Sequence, residues 1–411
     1  MCDQKTEVTL SLALDGSWWC PEDPEGRVGG TLNASFEHIE LSLLGALPAR
    51  PDAVSALGLA LDPSAETVRV IHGAAGGKCV SLFDCRTLRV EVGPGARQQL
   101  HAGTALVGAH VSHIRSSRMQ ISFEGLGEWA GLVPPRLQHI DVGGRIDLSL
   151  ERLGPAEARL DSGVVRVVFA SNLSRERQAV TLYPSVSIAV QLPSSMHLSD
   201  LMKAYVSPLQ GLLALATGRA AAVDHLTVQP DDSEPDRPCQ VFFDAIVAPG
   251  RESHDVRREE FFFVLDSLRD RFTEHLERWF ASYENLRTAY DVFFFDVYAP
   301  ARFIDTRFLL QCQLAEVLHR RRFALRTETL RKANRVPLQD RVRELIELAP
   351  SAARRRIGDI AAFAARVAQV RNHYTHRSTL PSGRRPDGAE TLLLHLTAVR
   401  CTGAFDAGAR S

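Results

Sequence analysis

The spacing of the apolar residues changes once along the chain, and this change limits the possible folds more than any other feature. Before residue 250, short runs of alternating apolar residues recur between Gly, Pro, Asp and Asn residues. After Ala248-Pro249-Gly250, apolar residues recur at three- and four-residue intervals. The first pattern is typical of antiparallel strands and the second of helices. The sequence therefore predicts an α+β protein, with a mostly antiparallel β-sandwich or barrel-like domain over residues 1–250 and an all-α bundle over residues 251–411.

Within the predicted β domain, three segments depart from a simple strand pattern. Leucines at helical spacing predict a helix near residues 198–219, which we expect to complete the β domain. Gly29-Gly30 and Gly76-Gly77 predict tight turns. The segment His72–Lys78 is glycine-rich, but His72 stands where a phosphate-binding loop has its first Gly and Cys79 replaces its Ser or Thr. We interpret that segment as a hairpin turn.

The charge of the chain is balanced overall but uneven along its length. The formal net charge is -1, which argues against a general polyanion binder. Most basic side chains are arginines, and they concentrate in the last third, between Arg320 and Arg343 and at Arg354–Arg356. A basic surface there would suit nucleic acid, and a solvated helix face with interspersed glutamates explains it equally well.

The cysteines and the hydropathy of the chain indicate the cellular compartment of the protein. The seven cysteines are scattered and include no Cys-x-x-Cys pair, so the sequence predicts reduced thiols and neither a disulfide framework nor a zinc site. No apolar run approaches the ~18 residues of a membrane span. We therefore expect a cytoplasmic protein without a metal, a cofactor or a membrane partner.

A possible site lies near the end of a predicted helix over Ser351–His376. Arg371 falls inside the apolar face of this helix, and Asn372 and His376 are i, i+4 neighbours at its edge. A guanidinium in that position is costly unless it meets an anion or an acidic partner. The three side chains suit phosphodiester chemistry, with Arg371 as phosphate clamp, His376 as general acid or base and Asn372 as positioning group. The alternative is an Arg paired with a core Glu beside a solvated His.

Further residues on the predicted helices could support this site. Glu316 and His319 are i, i+3 neighbours, and Glu316 could pair with Arg371 or orient His376. Tyr374 lies on the same turn as Asn372 and His376 and is a third candidate for a supporting role. The candidates for direct RNA contact are Arg307, Arg320, Arg321 and Arg377.

The pattern Arg-Asn-x-x-x-His, formed by Arg371, Asn372 and His376, resembles the signature of HEPN-domain ribonucleases. This resemblance implies metal-independent RNA cleavage, in which the ribose 2′-hydroxyl attacks the adjacent phosphate and leaves a cyclic phosphate and a 5′-hydroxyl. It also implies a homodimer or higher homo-oligomer, because HEPN domains of this kind usually pair around one RNA strand.

The whole chain resembles the ApeA-type anti-phage proteins, which carry a C-terminal HEPN domain. The resemblance rests on several short segments in order: Gly16-Ser17-Trp18-Trp19, Gly29-Gly30, Ile71-His72-Gly73, Val80–Cys85, Phe123–Ala130, Tyr298-Ala299-Pro300, Arg307-Phe308 and Glu316–Arg320. It implies abortive-infection defence: the β domain responds to a phage-derived trigger, and the HEPN domain cuts host RNA, with tRNA as a candidate. The leucine spacing stops after Leu396, earlier than we expect for the last helix.

Two other functions are compatible with the same residues. The first is a HEPN module that binds RNA or a protein partner without cleaving it. The second is a lectin-like β-sandwich that binds a ligand, with the helices serving only for assembly.

Overall fold

The computed structural model describes residues 11–47, 67–91, 95–132, 136–140, 146–149, 154–175, 180–234, 237–243, 261–298, 303–326, 335–349 and 351–376. The chain forms two compact units. Unit 1 comprises Met1–Ser207 and Ala222–Arg251, and unit 2 comprises Pro208–Ala221 and Glu252–Ser411. The predicted α+β class is confirmed, because unit 1 is built mainly from antiparallel strands and the described part of the chain after it from helices.

Unit 1 combines a closed barrel with an open sheet. Its strands are β1 Ser11–Trp19, β2 Val28–Ser35, β3 Ile39–Leu43, β4 Thr67–Ala75, β5 Lys78–Glu91, β6 Arg97–His101, β7 Thr104–Val107, β8 Arg115–Phe123, β9 Arg136–Ile140, β10 Ile146–Ser149, β11 Ala156–Leu160, β12 Gly163–Arg175, β13 Val180–His197, β14 Val223–Pro230 and β15 Cys239–Phe243. Strands β4, β1, β2, β3, β6 and β5 follow one another in hydrogen-bonded order, and β5 pairs back onto β4, which closes the barrel. Strands β9 and β10 form a separate pair.

Strand β5 joins the barrel to the open sheet. Its first half pairs with β7 and its second half with β6, so the two strands follow one another along the same edge of β5. The break between them lies at Ala102-Gly103, where the amide of Gly103 donates to the carbonyl of Phe83. From β7 the sheet continues through β15, β14, β8, β13 and β12 to β11. Strand β5 is therefore shared by the barrel and the open sheet.

The two predicted glycine turns have different outcomes. Gly76 and Gly77 connect β4 to β5 with positive φ angles of 54° and 73°, so the predicted hairpin is confirmed. The predicted turn at Gly29-Gly30 is wrong, since both residues lie inside β2. A Cβ at Gly30 would come within 2.5 Å of the carbonyl oxygen of Ser42 on β3. Glycine is therefore needed there for close strand approach.

Within the described ranges, helices form a small part of unit 1 and most of unit 2. They are α1 Leu126–Ala130, α2 Leu198–Leu201, α3 Ser207–Thr217, α4 Leu265–Leu268, α5 Phe272–Asn285, α6 Arg287–Tyr298, α7 Ile304–Arg326, α8 Leu338–Glu347, α9 Ser351–Ile357 and α10 Ile360–His376. A π-helical segment, Met202–Val206, connects α2 to α3. A short 3-10 segment, Arg269–Arg271, connects α4 to α5.

Residues 208–221 group with unit 2, although the sequence analysis assigned them to the β domain. The reason is the aromatic side chains of α5 and α6, which pack onto α3. Trp279 Nε1 donates to the carbonyl of Pro208 at 2.8 Å, and a Cβ at Gly211 would lie 2.9 Å from the ring of Phe294. Small residues on α3 thus admit large rings, and the aromatic side chains of α5 and α6 form part of the core of unit 2.

The predicted helix over Ser351–His376 is divided in two. Gly358 has a φ of +74°, which ends α9, and Asp359 Oδ1 accepts from the amide of Ala362 at 3.0 Å near the start of α10. A left-handed glycine followed by a capping Asp is a common arrangement between two helices. The candidate motif consequently lies on α10 alone.

None of the helices in the described ranges is long and apolar enough to cross a membrane.

The barrel interior provides a test of packing. Trp18 is fully buried, and a Cβ added to Gly73 on β4 would meet its ring. We expect Gly73→Ala to lower the free energy of unfolding by about 1–3 kcal/mol, since overpacking forces the ring from its position. Chemical denaturation followed by Trp fluorescence measures the change.

Gly29→Ala is the matched control, because a Cβ there meets no atom within 4 Å. We expect it to change the free energy of unfolding by less than about 0.5 kcal/mol. Equal effects of the two substitutions would contradict the described packing of Trp18.

Candidate functional site

A three-helix core in unit 2 positions the candidate motif. The buried face of α10, formed by Ala364, Val367 and Val370, packs against residues of α7 and α8. Phe308 and Cys312 come from α7, and Val342 and Ile346 from α8. Because apolar burial fixes the rotation of α10, it also fixes the direction in which the next turn of the helix points.

Arg371 lies directly after this apolar face and is partly buried, with 29% of its side chain exposed. Its Nη2 donates to Glu316 Oε1 of α7 at 3.0 Å, and its Nη1 donates to Asn372 Oδ1 at 3.2 Å. A guanidinium has five N–H donors, so two engaged donors leave three for a ligand. The sequence allowed either an anion or an acidic residue as the partner of Arg371, and the structure provides Glu316, a pairing that the structural alternative also predicted.

Asn372 and His376 are exposed on the same side of α10, one helical turn apart. Asn372 contacts Arg371 through its side-chain oxygen, so these two candidates are brought together. His376 is the last described residue of α10, and Arg377 and the tail after Leu396 lie outside the described residues. The roles assigned to these side chains stay predictions.

A buried polar layer lies beneath the ion pair. Arg341 of α8 is only 3% exposed, and it donates from Nε to the carbonyl of Val336 and from Nη1 to the carbonyl of Glu316. Burial lowers the pKa of Arg341, and the neighbouring charge of Arg320 lowers it further. Since the carbonyl that Arg341 holds belongs to Glu316, it fixes the backbone of the residue that holds Arg371.

His319 and Glu344 form a second contact between α7 and α8. His319 is buried, and its Nε2 lies 2.9 Å from Glu344 Oε2, so its ring is held in a fixed orientation. Neither Arg341 nor Glu344 was predicted as a residue of the site. The position of Arg341 could have revealed it. Arg341 lies three residues after Leu338 and four before Leu345, so it falls on the apolar face of α8, where a charged side chain needs polar partners.

The remaining candidates occupy different surroundings. Arg307 donates from Nε to Asp296 Oδ1 of α6 at 3.1 Å, and Asp296 is buried and also accepts from Gln311. The ring of Tyr374 packs edge-on against Phe308 and so contributes to the three-helix core. Arg321 is exposed, and Arg320 is half-buried.

Two further observations concern the thiol of Cys312 and the possibility of metal binding. Burial raises the pKa of Cys312, next to the ion pair, to about 12, so its thiol stays protonated at neutral pH. Among the described side chains, no group of three or more His, Cys, Asp or Glu residues is arranged to hold a metal ion.

The fold and the site define a two-unit protein, in which a β-barrel and its sheet extension precede a helical unit that presents Arg, Asn and His on one turn. The model of ApeA N-terminal domain 1 matches residues 14–279, which is more than half of the chain. The chain therefore belongs to the ApeA family, and this membership indicates a role in anti-phage defence. No curated protein and no solved structure matches the chain.

This match confirms the ApeA part of the predicted resemblance. It ends in α5, before the residues of the candidate site, so the HEPN assignment rests on the motif and on the helical core alone.

The ion pair between Glu316 and Arg371 can be measured with a double-mutant cycle of Glu316→Gln and Arg371→Met. Both side chains are roughly one-quarter exposed, so we expect a coupling free energy of about 1 kcal/mol, between the values for surface and buried pairs. Thermal or urea unfolding of the four proteins gives this value.

The control cycle uses Arg278→Met and Glu274→Gln on α5, an exposed i, i+4 pair at 3.9 Å. We expect a coupling free energy below about 0.5 kcal/mol for this pair. Coupling in the Glu316–Arg371 cycle no larger than in the control would show that the two residues do not hold each other in solution.

Proposed function

We propose that unit 2 is a HEPN ribonuclease domain that cleaves host RNA, with tRNA as a candidate substrate, during abortive-infection defence in the cytoplasm. The observation that carries this proposal is the turn at Arg371: a guanidinium held in place by Glu316, beside an exposed Asn372 and one turn from an exposed His376. Family membership supports the setting in anti-phage defence.

The proposed reaction needs a proton acceptor, a proton donor and a cation. His376 takes the proton from the ribose 2′-hydroxyl, whose oxygen forms a bond to the adjacent phosphorus. The bond from phosphorus to the 5′-oxygen breaks, and that oxygen takes a proton, which leaves a 2′,3′-cyclic phosphate and a 5′-hydroxyl. Arg371 stabilises the charge that builds on the phosphate. A second copy of the chain would supply a second His376, so that one imidazole acts as base and the other as acid.

The Glu316 ion pair is compatible with this role. Glu316 engages one N–H of Arg371 and leaves other donors free to meet a phosphate. A guanidinium that is held before the substrate arrives loses less conformational freedom on binding than a mobile one. Glu316 therefore acts as a positioning residue, and its own backbone is held by Arg341.

The same ion pair favours a second candidate function. A guanidinium whose charge is matched by Glu316 is also what a structural site requires, and unit 2 would then bind RNA or a protein partner without cleaving it. The two functions differ in what happens when His376 is removed.

Cleavage assays on the purified full-length protein separate them. We expect wild-type protein to cleave RNA in the presence of EDTA, and His376→Ala to lower the rate by about 10²–10⁴-fold because a proton-transfer group is lost. We expect Arg371→Ala to lower it by about 10²–10³-fold through lost charge stabilisation. The products should accept phosphate directly from polynucleotide kinase, which shows a free 5′-hydroxyl.

His373→Ala is the matched control, because it removes a histidine from the same turn whose ring contacts Tyr374. We expect this variant to retain cleavage. RNA binding without cleavage in the wild type, or undiminished cleavage by His376→Ala, would contradict the proposed site.

A test in cells connects the site to defence. We expect bacteria that express the wild-type protein to lower the plaque count of a sensitive phage, and His376→Ala to abolish this protection while the protein accumulates to the same level. Protection that survives in His376→Ala would support the non-catalytic candidate.

A further inference from the structure

Several arginines lie near the ion pair. Arg320 lies one helical turn after Glu316 on α7, so its side chain projects from the same face as the carboxylate that holds Arg371. Arg320 is also close enough to Arg341 for the two charges to interact. Glu316 therefore has three guanidiniums near it, those of Arg320, Arg341 and Arg371.

Two carboxylates near the ion pair, both among the described residues, are already engaged. Glu316 pairs with Arg371, and Glu344 pairs with His319. Arg320 forms no ion pair within the described part of the chain, and its Nε is buried without a hydrogen-bond partner there. A buried charged donor that lacks a partner is unfavourable, and in natural proteins such a group usually has a bound ion, a water or a functional reason.

We propose that Arg320, supported by Arg341, is a second phosphate-binding position beside Arg371, which takes a phosphate of the RNA strand next to the link that is cleaved. The identity of RNA as the occupant rests on the proposed function, whereas the anion site itself rests on the unpaired Arg320. A guanidinium suits this ligand because its N–H groups match phosphate oxygens.

In this proposal Arg371 and Arg320 have different roles in catalysis and binding. Arg371 stabilises charge at the reacting phosphate, so its loss lowers kcat. Arg320 holds a phosphate that does not react, so its loss raises KM and leaves kcat nearly unchanged. The second contact also favours single-stranded RNA with at least two adjacent phosphates within reach of the same helix face.

Binding of a fully 2′-O-methylated RNA oligonucleotide, which cannot undergo attack by a 2′-hydroxyl, tests the site without cleavage. We expect Arg320→Met to weaken binding to the full-length protein and to reduce the slope of log affinity against log salt by about 0.7, the value for one phosphate contact on a single strand. Arg278→Met is the control, because Arg278 lies on α5 outside the arginine-rich stretches and pairs with Glu274, and its slope should equal that of the wild type.

Thermal unfolding tests the anion site independently of RNA. We expect Arg320→Met to unfold at the same temperature as the wild type or higher, because it removes an uncompensated cation. Inorganic phosphate, added at constant ionic strength, should raise the unfolding temperature of the wild type and Arg278→Met more than that of Arg320→Met.

The outcomes separate this inference from the proposed function. If the wild type cleaves RNA and Arg320→Met matches it in KM, salt slope and response to phosphate, the second phosphate position is wrong and the nuclease stands. If no RNA is cleaved but slope and phosphate response depend on Arg320, the anion site stands and the nuclease is wrong. A large fall in the unfolding temperature of Arg320→Met would show that Arg320 is structural, which would overturn the inference.

Discussion

The burial of one face of α10 against α7 and α8 is the constraint on which the candidate site depends. Ala364, Val367 and Val370 set the rotation of the helix, and Arg371 follows them at the point where the packed face meets solvent. A guanidinium at such a boundary can keep its charge, because it has a carboxylate on the protein side and solvent or a ligand on the other. A fully buried arginine could not be reached by a ligand, and a fully exposed arginine would not be held in one position.

The polar residues beneath this boundary extend the constraint to the backbone. Arg341 binds two carbonyls, one of which belongs to Glu316, and its burial is tolerated because these acceptors replace water. Glu316 therefore has both its side chain and its main chain engaged. Contacts of this kind tie α7, α8 and α10 together, so a change in the spacing of these helices would separate Arg371 from Glu316.

Much of this arrangement was predictable from the sequence, and the reasons for the rest are physical. The helical spacing of the apolar residues placed Arg371 on the packed face. The cost of burying its charge called for an anion or an acidic partner, and the partner is Glu316. The contact between His319 and Glu344 was not predicted, because neither residue stood out in the sequence as a charge on a packed face, so nothing called for a partner on another helix. The same limit hid the closure of the barrel, where Thr67 of β4 and His101 of β6 both pair with Arg86 of β5.

The glycines of this chain serve two different purposes, which the sequence alone does not distinguish. A Gly-Gly pair predicts a turn when only its conformational freedom is considered, and this holds at Gly76-Gly77. At Gly29-Gly30 the absence of a side chain matters instead, because β3 approaches too closely for a Cβ at Gly30. Gly211 acts in the same way on α3, where it admits the rings of α6 and draws residues 208–221 into the helical unit. In both cases the neighbour that requires glycine is distant in sequence, so only the folded chain shows which property of the residue is used.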